Sequence, residues 1–511
     1  MIVECNKKTV NLKSVGVKNK NTIWVEQDIL VPDSKPDVMK VIMVNATPYI
    51  LNKEIQNDKV KIDGKINYFI IYKTSNDILN TRGLYMSYPF TANIPIKDIN
   101  KDMNLYMKID IGNIIYSLPN ERKIQVKSEV ICSYEYSNNM KLDIIENFYD
   151  KYNIQTKKKT CKCMNYLLEK NSIIASREEV LLANDNQNFY EILNIHSRIQ
   201  NTDYKESYNK IMVKGDIALD ILYLSEENNS TINKMPLEIP FSGMIELDNI
   251  NDKSKFDIDY NIKDLSIRCN LENITSKMME VDYQIEVCVK MYEEEEISYV
   301  EDFYSQTNEI KADFKKISPL ASKVLSSKSL DIKENVNNVL DNNYKILDYS
   351  ILLNNLHSKE NNGVIVIDGN VKVDMLLQNI DTGEIENKNF EVLINESISN
   401  EKINNNNSID IELCVEKTNI LLSGRDIEIK MRINIKIAED SKLDINYTEQ
   451  LEMLDECTDN LNSMYIYMVK SNDTLWSIAK KYKTTENNIM QINSLSDINT
   501  INENQKLLII R

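Results

Sequence analysis

Histidine most often carries acid–base catalysis, and this chain of 511 residues has two, His196 and His357. They lie far apart in the sequence and share no motif, which disfavours Ser-His-Asp catalysis, Cys-His catalysis and histidine-based metal sites. The 78 acidic residues guarantee chance carboxylate pairs, so no pair stands out as the acid and base of a hydrolase. We expect a protein that is not an enzyme.

Cys161-Lys162-Cys163 is the second candidate for chemistry. Its spacing is not that of a zinc-binding pair, and no second pair or neighbouring histidine completes a site. The sequence has no G-x-x-x-x-G-K-[ST] phosphate loop, and its eight cysteines are scattered as free thiols would be. We therefore expect no metal and no cofactor, with a linker or structural role for this segment.

Charge and the distribution of apolar residues disfavour nucleic-acid-binding, membrane-spanning and secreted proteins. The formal net charge of −17 disfavours nucleic-acid binding, which needs clustered Lys and Arg. No apolar run approaches the length of a membrane span. The N-terminal MIVECNKKTV is charged from its fourth residue and lacks the apolar segment of a signal peptide, which favours a cytoplasmic location.

Most of the chain alternates apolar and polar residues with a period of two, as antiparallel sheets with one buried face do. A glycine-centred strand of this kind occurs three times, at Gly64, Gly215 and Gly369. A phenylalanine and then a long closing strand follow each glycine in the same order; the phenylalanines are Phe90, Phe241 and Phe390. A unit of this length is an independent domain.

The predicted fold class is therefore mainly β, with three antiparallel repeat domains, sandwich-like or barrel-like, and a small α+β module at the C-terminus. The predicted bounds are 20–145, 172–300 and 325–440 for the β domains, 146–171, 301–324 and 441–464 for linkers, and 465–511 for the module.

The first domain carries a proline-rich turn that the other two lack. Pro32, Asp33, Lys35, Pro36 and Asp37 form a stiff, charged turn between apolar runs, because proline fixes φ and biases the preceding residue toward extended backbone. We interpret it either as the turn that leads the chain into the domain or as a docking surface.

The C-terminal module is predicted to contain a strand, two helices and a second strand, in that order. Tyr465 to Val469 is a strand-like run, and Leu475, Ile478, Ala479 and Tyr482 mark one face of a helix. Asp473 or Thr474 is the predicted N-cap of that helix, and Thr485 that of the second helix.

This module resembles the LysM family through spaced matches along its whole length; the matching residues are Tyr467, Val469, Asp473, Thr474, Leu475, Trp476, Ile478, Ala479, Tyr482, Asn493, Leu507 and Ile509. Two positions depart: Asn472 replaces a turn glycine, and Glu503-Asn504 replaces Pro-Gly. Asn tolerates left-handed backbone, so the fold should survive. The resemblance implies binding of N-acetylglucosamine glycans, and the ligand- or partner-binding residues would be Asn472, Asp473, Thr474, Leu475, Trp476, Asn493, Ser494 and Leu495.

The proline-rich turn followed by β repeats resembles the SPOCS domain of spore-forming Firmicutes. Repeated SPOCS-like units ending in one LysM module are similar to a spore-coat morphogenetic family of clostridia. The resemblance implies a mother-cell cytosolic protein at the forespore surface. Its LysM module would dock on stage IV sporulation protein A, the coat-basement ATPase.

Two functions remain open at this stage. One is a non-enzymatic adaptor of coat assembly, in which Trp476 is an exposed anchor for a protein partner or is partly buried against the sheet. The other is a protein that binds peptidoglycan glycan through its LysM module.

Overall fold

The computed structural model describes residues 3–14, 16–75, 80–149, 153–181, 189–225, 231–269, 278–337, 340, 343–361, 363–399, 408–456, 464–498 and 501–510. Antiparallel strands dominate these residues, and two short helices lie in the C-terminal module. The predicted mainly β fold class is confirmed. In this part of the chain no helix is both long enough and apolar enough to cross a membrane.

Three consecutive parts of the chain each form a domain of six strands, numbered here in chain order. The first domain contains β2 (Val17–Leu30), β3 (Val38–Gln56), β4 (Lys59–Thr74), β5 (Thr81–Pro95), β6 (Asn104–Asn120) and β7 (Lys123–Ser137). The second contains β9 (Ile154–Leu181), β10 (Phe189–Ser207), β11 (Lys210–Ser225), β12 (Ile232–Glu246), β13 (Lys255–Cys269) and β14 (Met278–Ser305). The third contains β16 (Leu320–Val336), β17 (Tyr344–Asn361), β18 (Val364–Asn379), β19 (Ile385–Ser399), β20 (Ser408–Ser423) and β21 (Asp426–Lys442).

The three domains share one strand order. In each, the second, third and fourth strands form one sheet, and the first, sixth and fifth strands form the other, as in β3-β4-β5 and β2-β7-β6. Alternate residues of both sheets point inward and make one apolar core per domain. Each domain is therefore a small β-sandwich, which decides between the sandwich and barrel alternatives.

The glycine landmark marks a close approach in the first two domains. Gly64 lies opposite Phe90 across β4 and β5, and Gly215 lies opposite Phe241 across β11 and β12. A Cβ at either glycine would come within 2.7 Å of the facing phenylalanine ring. The ring therefore covers the glycine, an arrangement that supports a glycine within a strand.

The third domain departs from this arrangement. Gly369 lies opposite Ile394, and Phe390 lies opposite Val373 instead. The shorter spacing between Gly369 and Phe390 in the sequence thus reflects a different cross-strand pairing.

The prediction that 146–171, 301–324 and 441–464 are linkers is wrong, because most of their described residues form strands. Three two-stranded ribbons continue the first and last strands of the three domains. The ribbons are β1 (Cys5–Lys13) with β8 (Asn139–Phe148), residues 154–166 of β9 with 292–305 of β14, and β15 (Asn308–Ile317) with β22 (Ile445–Glu456). Residues 150–152 and 457–463 of the predicted linkers lie outside the described part of the chain.

The three ribbons pack together and form a fourth β unit, which we call the hub. Its two apolar clusters draw side chains from all three ribbons, among them Leu12, Tyr299 and Tyr447 in one and Ile145, Phe303 and Leu451 in the other. A ribbon has too little apolar surface to be stable alone, so the three must associate to bury their inner faces.

Ion pairs join the domains to one another. Lys323 of the third domain contacts Asp257 of the second at 2.9 Å, and Lys73 of the first contacts Glu384 of the third at 2.8 Å. Lys65 of the first domain pairs with Asp264 of the second. Each domain is thus linked to both of the others.

The C-terminal module has the predicted order of elements: β23 (Met464–Met468), α1 (Leu475–Tyr482), α2 (Glu486–Ile492) and β24 (Lys506–Ile510). Thr474 caps α1 and Thr485 caps α2, each accepting a hydrogen bond from a backbone N–H in the first turn. Asn472 and Asn504 adopt left-handed backbone, with φ of 69° and 66°. These are two of the residues at which the sequence departs from the LysM pattern. Asparagine can adopt the left-handed backbone that glycine would adopt there.

Candidate functional site at the C-terminal module

The C-terminal module packs against the hub through α1. Trp476 Nε1 donates a hydrogen bond to Asp302 Oδ2 at 2.7 Å, and Lys480 pairs with the same carboxylate. The Tyr304 ring meets the Trp476 ring edge to face at 5.0 Å, and its hydroxyl donates to the Thr484 carbonyl at 2.6 Å. Residues of β14 therefore hold one face of the module.

Trp476 is therefore not the exposed partner anchor of the first alternative. Its side chain is 9% exposed and belongs to the apolar core of the module, together with Tyr304 of the hub. Sequence reasoning could not find this contact, because Asp302 and Tyr304 lie far from the module along the chain.

The other predicted site residue on α1, Leu475, has a structural role. Leu475 is fully buried in the module core with Ile478 and Ala479. Its apolar side chain fills the space between the helix and the two-stranded sheet. Leu475 therefore offers no surface to a ligand in this conformation.

Asp473 and Asn493 hold the loops of the module together. The Asp473 carboxylate accepts hydrogen bonds from the Lys470 N–H at 2.8 Å and the Tyr467 hydroxyl at 2.7 Å, and these lower the pKa of Asp473. The hydrogen bond to Asp473 raises the pKa of Tyr467 to about 12. The Asn493 amide exchanges two hydrogen bonds with the backbone of Leu508, both at 2.7 Å.

The remaining predicted residues border the loops from outside. Asn472, Thr474 and Ser494 are exposed, and Leu495 is half-buried. Thr474 also accepts the capping hydrogen bond from the Ser477 N–H at 3.1 Å. A glycan binding between the two loops would meet these residues first.

The outer face of the two-stranded sheet carries an apolar row that the sequence analysis missed. Met464, Ile466 and Met468 alternate along β23 and are 59%, 76% and 52% exposed. Across the sheet, Leu508 lies opposite Ile466 and Ile510 lies opposite Met464. The signal was present in the sequence, because a strand apolar at every position cannot bury both faces in a two-stranded sheet.

The proline-rich turn of the first domain contacts Arg122 of the same domain and Glu191 of the second domain. The Arg122 guanidinium donates to the carbonyl oxygens of Pro32 at 3.2 Å and Lys35 at 2.7 Å, and it pairs with Asp37 at 2.6 Å. Lys35 reaches the second domain and pairs with Glu191, whose side chain is buried. This turn thus joins two domains of the same chain.

Charge and burial around the turn are consistent with that internal role. Burial and the nearby Arg82 lower the pKa of Lys35 to about 8. The Pro36 carbonyl accepts from the Tyr72 hydroxyl at 3.3 Å, whereas Asp33 is exposed. Asp33 is the residue of the predicted docking turn that presents most of its side chain to solvent.

Comparison with known protein families supports the resemblances noted above. The SipL SPOCS domain matches residues 37–119 and 189–270, which lie in the first and second β domains. The LysM domain matches residues 467–509. No curated protein and no solved structure matches the chain. The chain thus combines two SPOCS segments with a C-terminal LysM domain, which matches the SipL-type domain architecture that the sequence resembles.

Proposed function

We propose that this protein is a non-enzymatic adaptor of spore-coat assembly whose LysM module docks on a coat-basement protein at the forespore surface. Its site of action would be the mother-cell cytosol. Stage IV sporulation protein A, the coat-basement ATPase, is the partner that the resemblance implies. The three sandwich domains and the hub would hold the module in a fixed position while it binds.

The apolar row Met464, Ile466 and Met468 carries this proposal. Three large apolar side chains side by side on an exposed strand are unusual unless another protein covers them. Sugars are recognised by polar groups around a concave site, whereas this face is a short apolar strand at the edge of a sheet. A protein partner fits it better than a glycan does.

The contacts of α1 also support a protein partner at the outer sheet face, because they occupy another face of the module. The face that bears Trp476 and Lys480 is already engaged by Asp302 of the hub. The outer sheet face, which carries Met464, Ile466 and Met468, is not used by this contact and is available to a partner.

Glycan binding through the LysM module is a second candidate, favoured by the match to the LysM domain over 467–509. Exposed Asn472, Thr474 and Ser494 would provide its polar contacts. The Asp473 and Asn493 side chains are engaged in internal hydrogen bonds, so fewer polar groups remain for a sugar.

Affinity purification of the full chain from sporulating cells distinguishes the two candidates when paired with sedimentation on insoluble peptidoglycan. The adaptor proposal expects a coat-basement protein to be recovered with the wild type and lost with Ile466→Ser. Leu393→Ser is the matched control, because Leu393 is an equally exposed apolar residue of the third domain. Co-sedimentation with peptidoglycan and no partner that depends on Ile466 would overturn the adaptor proposal.

A further inference from the structure

The sheets of the three domains form a closed ring. The fourth strand of each domain packs against the second strand of the next: β5 against β10, β12 against β17, and β19 against β3. The last of these contacts brings the third domain back to the first. We call the three contacts the first, second and third joints, and because they are equivalent in the repeat they can be compared directly.

The first joint is closely packed. Tyr49 of the first domain is buried and belongs to the apolar core of the second domain. A Cβ at Gly83 would lie 2.9 Å from the Leu193 side chain, so the first domain approaches the second closely at β5. The ion pair of Lys35 with the buried Glu191 adds to this packing. Apolar contacts of this kind do not weaken when salt screens charges.

The second joint is centred on a buried carboxylate. Asp348 of the third domain is fully buried, and its oxygens bind three residues of the second domain. Asn194 Nδ2 donates to Oδ2 at 2.9 Å, and His196 Nε2 lies 2.9 Å from the same oxygen. Lys234 Nζ donates to Oδ1 at 3.0 Å. Salt screens a buried network much less than it screens exposed charges.

The third joint carries ion pairs near the surface. Each takes its lysine from the first domain and its carboxylate from the third domain; the pairs are Lys18–Asp410, Lys73–Glu384 and Lys108–Glu412. All six side chains are at least 25% exposed. An exposed pair contributes at most about fivefold to an equilibrium, and salt screens that contribution.

A cavity of about 590 Å³ lies beside the third joint. Most of its lining residues belong to the first and third domains, among them Thr47 and Tyr116 of the first and Asn389 and Glu416 of the third. Atoms that face each other across such a space make no van der Waals contact, so this part of the boundary adds little to its stability.

We propose that the ring opens and closes reversibly at the third joint in response to ionic strength, while the first and second joints stay intact. Opening breaks the three ion pairs and widens the cavity. It also exposes apolar residues that the closed ring buries, such as Ile42 of β3 and Ile385 of β19. The first and third domains stay tethered through the hub, where their ribbons pack together.

Cys414 is a native reporter of the third joint. It lies near Glu412 in β20, and its thiol is half-buried. Burial and the Glu412 carboxylate raise the pKa of Cys414, whereas Lys436 and, from the first domain, Lys108 act against them. The thiol is thus close to the first domain, and opening the joint should make it react faster with an alkylating reagent.

The test measures alkylation of each cysteine by iodoacetamide in the full chain, with mass spectrometry as the readout. The reaction is run at about 0.1 M and about 1 M sodium chloride, between which the Debye length falls from about 10 Å to about 3 Å. We expect the rate at Cys414 to rise by about tenfold or more, because all three pairs are screened together. Cys161, a half-buried thiol of the hub, is the control and should change by less than about twofold.

Charge variants separate opening of the joint from a direct effect of salt on the thiol. Lys73 and Glu384 lie outside the two sheets that contain Lys108 and Cys414, so a change there reaches Cys414 through the joint as a whole. Lys73→Glu should raise the Cys414 rate by about fivefold at the lower salt concentration, and Lys73→Glu/Glu384→Lys should restore it. Lys123→Glu is the matched control, because it breaks an exposed pair with Asp28 inside the first domain.

A Cys414 rate that salt does not change, or that Lys73→Glu does not change, would overturn the proposal. Equal acceleration at Cys414 and Cys132 would overturn it as well, because Cys132 is buried in the core of the first domain and reports unfolding of that domain. The salt series keeps the test decisive if a variant fails to fold, since it uses the wild-type chain.

Discussion

Removing Asp302 and Tyr304 should release the LysM module from the hub. Asp302 accepts one hydrogen bond from Trp476 and one from Lys480 across this contact. Hydrogen bonds to a charged group contribute about 1.5–3 kcal/mol when buried, and the half-exposed Lys480 pair contributes less than about 1 kcal/mol. Asp302→Ala alone should therefore weaken docking by about 2 kcal/mol, or about 30-fold.

Tyr304→Ala removes the rest of the contact. The variant loses the edge-to-face packing on Trp476, worth about 0.5–1.5 kcal/mol, and the hydrogen bond to the Thr484 carbonyl. The double variant Asp302→Ala/Tyr304→Ala should leave the module folded but undocked, because neither residue belongs to it.

The chain has two tryptophans, which gives a direct readout. In a Trp24→Phe background, the emission of Trp476 alone reports its surroundings. The double variant should shift that emission to longer wavelength and raise its quenching by acrylamide. Glu301→Ala is the matched control, because Glu301 is the neighbour of Asp302 in β14 and pairs with Lys157 and Lys159 within the hub. Emission and quenching unchanged in a folded double variant would refute the docked arrangement.

Three further substitutions test the hub, the repeat and the buried carboxylate. Phe303→Ala should cost about 3–5 kcal/mol in urea unfolding because Phe303 is core in the hub; a change below about 1 kcal/mol would fit a linker instead. Gly64→Ala should cost about 1–3 kcal/mol by the same measurement because the new methyl group would collide with Phe90, and no loss would mean that the two strands are not this close. Burial alone would raise the pKa of Asp348, but its contacts with His196 and its other partners lower it overall. The stabilisation of the fold by ionised Asp348 should therefore be present above the unfolded pKa of about 3.9 and fade as pH falls below it. Asp348→Asn should then flatten the acid dependence of the free energy of unfolding; equal slopes of that free energy against pH in variant and wild type would contradict this.

Local pattern was enough to predict the repeat domains. Gly64 and Phe90 lie in neighbouring strands of one hairpin, so their pairing shows in the sequence as a fixed spacing. The same holds for the helix face of α1 and for the Thr474 and Thr485 caps, which depend on residues three or four positions away. These features follow from short-range geometry.

The hub could not be predicted this way, because its strands pair over long distances. Lys158 in the basic run that suggests a linker lies opposite Val300 of β14. A polar residue on the outer face of a ribbon looks the same as one in a loop when the partner strand is unknown. The burial of Trp476 against Tyr304 was missed for the same reason.

The binding role of the LysM loop residues stays a prediction. The loops of the LysM module lie where the resemblance placed them, but Asp473 and Asn493 use their polar atoms to hold the loops together. The apolar row on β23 escaped notice because its tyrosines and its Met and Ile residues all look like core in a one-dimensional pattern. Two faces become distinct once the sheet is known to have two strands.

The most direct test of the adaptor role is a binding titration of the full chain with purified stage IV sporulation protein A. The proposal predicts saturable binding that Ile466→Ser weakens by about 30-fold or more, as loss of an interface hot spot does, while Leu393→Ser leaves it unchanged. Binding that Ile466→Ser does not alter, or no binding alongside retention on peptidoglycan, would contradict it.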